Sequence, residues 1–327
     1  HDEKSIFFST KESVNATSPS GLKRLIGIDD RQPSYRDRYF INRLFLDSGL
    51  TQQLTFGRQS ASLNDITEDA SKLLFSVSAQ DLSERPFRKG SLYMLDLNTM
   101  DIDTIWKDER FAGYAQFSPD GKQLLIQGGP ESFNGIGLNI KEGQIANSYD
   151  TQSFIMDLGT KKVTPITKDF DPSVSSQFWN KTDNNIYYRV DEKDRVTVYR
   201  YTTKNSKFEK LPLNMSKDGR WATYTGVSTT NSSRSYLLDM KSLRSTLIAD
   251  PYAERLNTIN LGEVKDWTFT STFGDEIDGR YYLPPNFDVN KKYPLIVYYY
   301  GGTSPTTRGF ESTYPLHVYA AQDYVVF

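Results

Sequence analysis

The run Lys292-Tyr293-Pro294-Leu295-Ile296-Val297-Tyr298-Tyr299-Tyr300-Gly301-Gly302 decides the fold of the C-terminal part of this chain. A charged, Pro-containing loop feeds an apolar and aromatic segment that stops at a glycine pair. Such a run predicts a strand buried on both faces, as inside a parallel sheet with helices on each side. The glycines at its end permit a sharp turn and a close backbone approach to a ligand. In open α/β sheets, ligands bind just past the carboxyl ends of strands. Upstream, Gly262 to Thr272 and Gly279 to Leu283 read as a hairpin around Gly274-Asp275-Glu276, and Pro284-Pro285-Asn286 breaks its second strand. Downstream, a short helix is predicted between Phe310 and Gln322, interrupted or opened by Pro315, and another strand begins at Tyr324-Val325-Val326-Phe327. Strand, strand, strand, helix, strand is the opening of an α/β sheet. Because the last strand has barely begun, the expectation for 262–327 is a truncated domain.

The first 250 residues follow a different rule, an internal repeat. A hairpin with Asp at the end of its first strand recurs at Leu44-Phe45-Leu46-Asp47, Tyr93-Met94-Leu95-Asp96, Phe154-Ile155-Met156-Asp157 and Tyr236-Leu237-Leu238-Asp239. Val198-Tyr199-Arg200-Tyr201-Thr202-Thr203 is a weaker copy without the Asp. From Asp47 to Asp239 is 192 residues in four steps, a mean period of 48. A polar turn and a short apolar strand precede each hairpin, as at Asp69 to Phe75, Asp120 to Ile126, Asp183 to Tyr188 and Asp218 to Tyr224, with a further copy at Asp2 to Phe8. Inner strand pair plus outer hairpin, repeated at this period, is the grammar of a four-stranded propeller blade. An antiparallel sandwich also alternates short strands and turns, but it does not repeat two motifs in a fixed order. The reading is therefore mainly β: a partial β-propeller of about five blades over 1–255, N-terminal blades missing, then the first strands of an α/β sheet over 262–327.

Composition narrows the function classes. A net charge of −2 with 24 % charged residues argues against a nucleic-acid surface or a polybasic membrane anchor. No apolar stretch approaches the roughly 18 residues that span a bilayer. The chain has no cysteine, which excludes disulfides and thiolate metal sites. That leaves the compartment open, with a leaning toward a periplasmic or secreted protein, since exported bacterial proteins of this size often manage without disulfides.

A propeller followed by Trp267-Thr268-Phe269, then Asp278-Gly279-Arg280-Tyr281-Tyr282-Leu283-Pro284-Pro285, then Lys292 to Gly302, resembles the prolyl oligopeptidase family of serine peptidases. The narrower likeness is to the branch containing dipeptidyl peptidase IV. The resemblance covers the whole chain in architecture, while its specific motifs sit in about the last 65 residues. It implies a propeller that gates access of short peptides to an α/β-hydrolase domain, and no cofactor or metal. It also implies one functional residue here: Tyr300, whose hydroxyl would donate to the oxyanion. Tyr298 and Tyr299 read as strand aromatics.

The family's nucleophile sits in a Gly-x-Ser-x-Gly elbow followed by Asp and then His, and none of these is present. Gly302-Thr303-Ser304-Pro305-Thr306 imitates the elbow but lacks its closing Gly, and Pro305 has no N–H to contribute. His317 precedes any such serine and reads as a helix residue. The triad is thus expected outside this chain, which alone should be inactive and should need the rest of its hydrolase domain, or a second fragment, as partner. Homo-oligomerisation stays open. The dipeptidyl branch holds the peptide's amino terminus with adjacent glutamates, and no Glu-Glu pair occurs, so the substrate-binding residues are unassigned. Asp96 to Asp101 and Asp169-Phe170-Asp171 lack the Gly and distal Glu of calcium loops and read as hairpin turns. Gly128 to Gly135 reads as a solvent loop within one blade. The alternative function is a non-catalytic propeller that binds protein or peptide partners, with 262–327 as an added sheet whose unfinished edges would aggregate.

Overall fold

A computed structural model describes residues 4–13, 19–23, 25, 28–32, 34–147, 149–211, 220–239, 241–242, 244–299, 308–310 and 314–327. It contains two compact units, His1–Val190 with Arg200–Glu209, and Asp191–Tyr199 with Lys210–Phe327. Sheets follow one another along the chain. Strands β1 (Ser5–Glu12), β2 (Arg38–Phe45) and β3 (Thr51–Gln53) form the first. The next two have four strands each, β4 (Ala61–Ile66), β5 (Lys72–Gln80), β6 (Arg88–Asp96) and β7 (Ile102–Glu109), then β8 (Ala112–Phe117), β9 (Gln123–Gly128), β10 (Gln152–Asp157) and β11 (Val163–Pro165). A further four-stranded sheet comprises β12 (Ser173–Trp179), β13 (Ile186–Glu192), β14 (Arg195–Thr202) and β15 (Lys207–Leu211), and the division between the units runs through it. In β16 (Trp221–Gly226), β17 (Arg234–Asp239) and β18 (Arg244–Ala249) the described residues supply three strands, and a single helical turn, α2 (Ala253–Leu256), follows. In every one of these sheets each strand lies beside its sequence neighbour, the meander of a propeller blade. The chain is mainly β and propeller-like, as the repeat predicts.

The recurring Asp has a local physical cause. Asp96 Oδ1 accepts the backbone N–H groups of Asn98 and Thr99 at 2.8 and 3.0 Å, and Asp239 Oδ1 does the same for Lys241 and Ser242 at 2.8 and 3.0 Å. Asp157 Oδ1 takes the N–H and hydroxyl of Thr160, both at 2.8 Å. Four residues on, Met100 and Lys161 take left-handed φ angles of 64° and 59° and donate their N–H to the carbonyls of Asp96 and Asp157. The weaker copy keeps that backbone: Ser206, at φ 56°, donates to Thr202 O at 2.9 Å. The turn is thus a backbone form that Asp caps but does not create.

Protonating these caps removes stability from the fold in acid. The Thr67 and Ser71 hydroxyls hold Asp69 down to about 2, and Ser83 with Arg110 holds Asp81 there too. Backbone N–H donors pull Asp96, Asp157 and Asp239 below the ordinary carboxylate value. A depressed carboxylate contributes stability above its unfolded pKa, and the contribution is lost as pH falls through the folded one. Burial pushes Asp65 and Asp150 the other way, so their contribution is greatest in acid, but they are outnumbered. Strand circular dichroism should hold from neutral pH to about 4 and collapse between about 4 and 2. A midpoint above about pH 5 would contradict this account.

Strand β5 is buried on both faces. Successive residues of a strand point to opposite sides, and Leu73 packs with Ile41, Leu54, Leu95 and Leu97 while Leu74 packs with Leu92, Ile105, Phe117, Leu124 and Phe154. The register agrees: Leu73 faces Leu95, Leu74 faces Met94, and Phe75 stacks on Tyr93 with centroids 5.3 Å apart. Continuous apolar runs such as Leu124-Leu125-Ile126, all with 0 % exposure, therefore belong to antiparallel strands here.

The last sheet is mixed. Hairpin β19 (Val264–Thr270) and β20 (Glu276–Tyr282) is antiparallel, and β21 (Leu295–Ile296) pairs in parallel with β22 (Val325–Val326) across the short helix α3 (Leu316–Ala320). Gly279 lies opposite Trp267, whose ring would stand 2.2 Å from any Cβ there, so only glycine fits. One expectation fails. Leu295, Val297 and Tyr299 are 59, 58 and 83 % exposed, so the run is not buried on both faces. A strand of this composition needs a layer on each side, and among the described residues the helix packed on this sheet is α3, through Ala320 and Leu316 against Tyr282 and Val326.

Candidate active-site segment

The place to look is the carboxyl end of the parallel pair. Backbone bonds carry the pairing beyond β21: Val325 N donates to Pro294 O at 3.0 Å, Phe327 N to Ile296 O at 2.7 Å, and Tyr298 N to Phe327 O at 2.6 Å. Residues 294–298 and 325–327 thus run side by side toward the same end, the position where α/β sheets bind ligands. Tyr298 packs its ring on Tyr314 at 4.8 Å, as a strand aromatic should. The oxyanion candidate Tyr300 and the decoy Ser304 lie outside the described residues.

Arg308, directly beyond that stretch, is held firmly. Its Nε donates to Asp194 Oδ2 at 2.8 Å, its Nη1 to Asp266 Oδ2 at 3.0 Å and its backbone N to Asp194 O at 3.2 Å. His317 sits in α3, as read from the sequence. Its Nε2 meets Thr229 O at 2.6 Å, and its ring stands edge-on to Tyr282 with centroids 5.0 Å apart. It ties a blade connection to the last sheet, which is a structural use of the imidazole. Desolvation pushes the Tyr282 hydroxyl above its ordinary pKa.

Two polar features within the first unit escaped the sequence reading. Gly128 to Gly135 is not a solvent loop: Gly128, Gly129, Pro130 and Ser132 are buried. The segment makes one helical turn, α1 (Ser132–Gly135), in which Phe133 and Asn134 adopt left-handed φ angles of 53° and 62°. That twist turns Phe133 inward against Trp106 and Phe154, with centroids 5.6 and 5.8 Å apart, while Glu109 Oε2 accepts its N–H at 3.2 Å. Packing of the half-buried Phe133 against the core outweighs the polar composition around it. The second feature is a cavity of about 270 Å³ at the β4–β5 and β8–β9 turns, lined by Asp65, Glu68, Asp120, Lys72 and Lys181 among others. Its charges are largely committed. Asp65 Oδ2 accepts Phe117 N–H at 2.7 Å, Asp120 caps Ser118 and Lys122, and Glu68 pairs with Lys181. Among the described residues, no three His, Cys, Asp or Glu side chains are grouped to hold a metal ion, and no helix is long and apolar enough to cross a membrane.

Comparison with known proteins addresses what this geometry belongs to. No family model matches the chain. Dipeptidyl-peptidase 5 of Porphyromonas gingivalis is 26 % identical over 227 residues, covering 65 % of this chain and 30 % of that protein. The acylaminoacyl peptidase of Pyrococcus horikoshii superposes over 99 % of this chain and 48 % of its own, with a TM-score of 0.67 and 17 % identity. Dipeptidyl peptidase 4 of P. gingivalis superposes over 90 % of this chain and 56 % of its own, with a TM-score of 0.58 and 14 % identity. The chain resembles the prolyl oligopeptidase family. Its relatives there are peptidases, and it spans about half the length of the two solved structures. The likeness in fold extends through the blades and the last sheet alike, since the first of those superpositions leaves almost none of the chain out.

Proposed function

We propose that this chain is the propeller and opening-sheet portion of a serine peptidase of the prolyl oligopeptidase type, which hydrolyses short peptides by acyl transfer. The observation that carries this reading is the order of parts. Meandering blade sheets lead into a hairpin, a parallel strand, a short helix and a second parallel strand, and Tyr-Gly-Gly follows the first of these parallel strands. In this reading the blades occupy 1–255 and restrict access of substrate, and 262–327 begins an α/β-hydrolase sheet. Tyr300 donates its hydroxyl to the oxyanion. With no Gly-x-Ser-x-Gly among the 327 residues, the nucleophilic Ser and its Asp and His partners come from protein outside them.

A serine-directed fluorophosphonate separates the possibilities. The full-length parent should label at one serine and lose peptidase activity in step, while the 327-residue chain should neither label nor cleave peptides. Stoichiometric labelling of Ser304 would overturn the assignment, and a full-length protein that neither labels nor cleaves would overturn the peptidase reading itself.

A further inference from the structure

Strand β20 carries a charge pattern that the peptidase reading does not use. Glu276, Asp278 and Arg280 alternate along it and so line one face. Across the hairpin, Thr268 stands opposite Asp278 and donates to it at 2.7 Å, and Asp266 stands opposite Arg280. The other face is aromatic, with Trp267 stacked on Phe269 and Phe327. One face of this hairpin is therefore written in charge.

The two-residue turn between β13 and β14, Lys193-Asp194, meets that face with matching signs. Lys193 Nζ lies 2.7 Å from Asp278 Oδ2 and 3.6 Å from Glu276 Oε1. Asp194 Oδ2 accepts from Arg280 Nη2 at 3.0 Å and from Arg308 Nε at 2.8 Å. The cation of the turn thus sits on the acidic half of the strand, and the anion sits on the basic half. Lys193 takes a left-handed φ of 53°, a conformation that lysine does not favour by itself. Sliding the strand by two residues would bring Lys193 or Asp194 against a like charge, so the contact selects a single register.

The two halves differ in strength. Lys193 and Glu276 are each 67 % exposed and Asp278 is 44 % exposed, so water and salt screen that half heavily. Asp194, Arg280 and Arg308 are 21, 12 and 28 % exposed, and Asp194 Oδ2 takes a charge-assisted bond from each guanidinium, so their half holds more strongly. The Asp194 half anchors, and the Lys193 half adds register.

We propose that Lys193-Asp194 is a charge-coded latch that holds hairpin β19–β20 in register and is released by salt. Release also removes one of the two carboxylates that hold Arg308, because Asp194 serves both guanidinium groups, and leaves Arg308 on Asp266. The inference does not depend on the peptidase reading, and its test has no activity readout.

Hydrogen–deuterium exchange of the whole protein tests it, followed in peptides covering 264–282 and, as a folding control, 72–96. At low ionic strength, Asp194→Asn should speed exchange in the hairpin about 10-fold and leave β5 and β6 unchanged. Raising salt from about 0.05 to 0.5 M should speed the wild-type hairpin and have less effect on the variant, whose latch is already open. Lys193→Glu, at an exposed side chain that folding tolerates, should also speed exchange, and Lys193→Glu with Asp278→Lys should restore it. Wild-type rates in Asp194→Asn, an equal salt response in both proteins, or no rescue by the charge swap would each overturn the latch.

Discussion

Replacing Tyr300 by Phe in the full-length enzyme is expected to lower kcat by about 10²–10³-fold, the scale for losing one oxyanion donor. KM should change little, because in the proposed role the hydroxyl engages charge that develops only in the transition state. The position rests on the strand that leads to it: the backbone bonds that run from Pro294 to Tyr298 against 325–327 carry the chain to the carboxyl end of the sheet, two residues short of Tyr300. Phe keeps the ring, so packing is retained and the comparison isolates one O–H group. Steady-state kinetics on a short peptide ester and on the matching amide would show the loss in both if acyl-transfer chemistry limits turnover. Unchanged kcat on both substrates would reduce Tyr300 to a strand aromatic of the same kind as Tyr298.

The largest expected effect on stability lies in the blades. Phe154→Ala should destabilise the first unit by about 3–5 kcal/mol, the range for removing a fully buried aromatic ring. Phe154 has 0 % exposure and packs among Leu74, Leu92, Leu124, Ile126 and Met156, with the Phe133 ring edge-on at 5.8 Å. Those neighbours belong to two adjacent sheets, each fixed by its own hydrogen-bond ladder, so the cavity cannot collapse. Urea unfolding followed by tryptophan fluorescence should show the midpoint fall well below wild type. Leu247→Ala, in β18 at 50 % exposure, serves as the control and should stay within about 0.5 kcal/mol. Equal shifts for the two variants would mean that the core does not lie where the blades meet.

The same contrast explains what could be read in advance. The Asp repeat was legible because its cause is local: a carboxylate and a carbonyl of one residue satisfy N–H groups two to four positions on, and Asp96 and Asp157 do this in the same way. The hairpin at Gly274 and the helix opened by Pro315 were legible for the same reason, since turn and breaker residues act within a few positions. The run from Leu295 was read as a strand covered on both faces, and its composition does ask for that. Coverage is supplied by other parts of a fold, and the exposure of Leu295 and Val297 among the described residues could not be foreseen from the run itself.

By itself, then, the sequence determined the blade grammar, its period, the change of pattern in the last 65 residues and the absence of a serine elbow, all properties of near neighbours along the chain. Only the tertiary structure decided which distant residues meet. It turned Phe133 of a polar, glycine-rich segment onto the core, beside Trp106 and Phe154. It also brought Asp194 to Arg280 and Arg308, 86 and 114 positions away. The physical reason is that packing needs direct contact and charge pairing fades beyond about 8–10 Å in space, and chain distance carries no record of either.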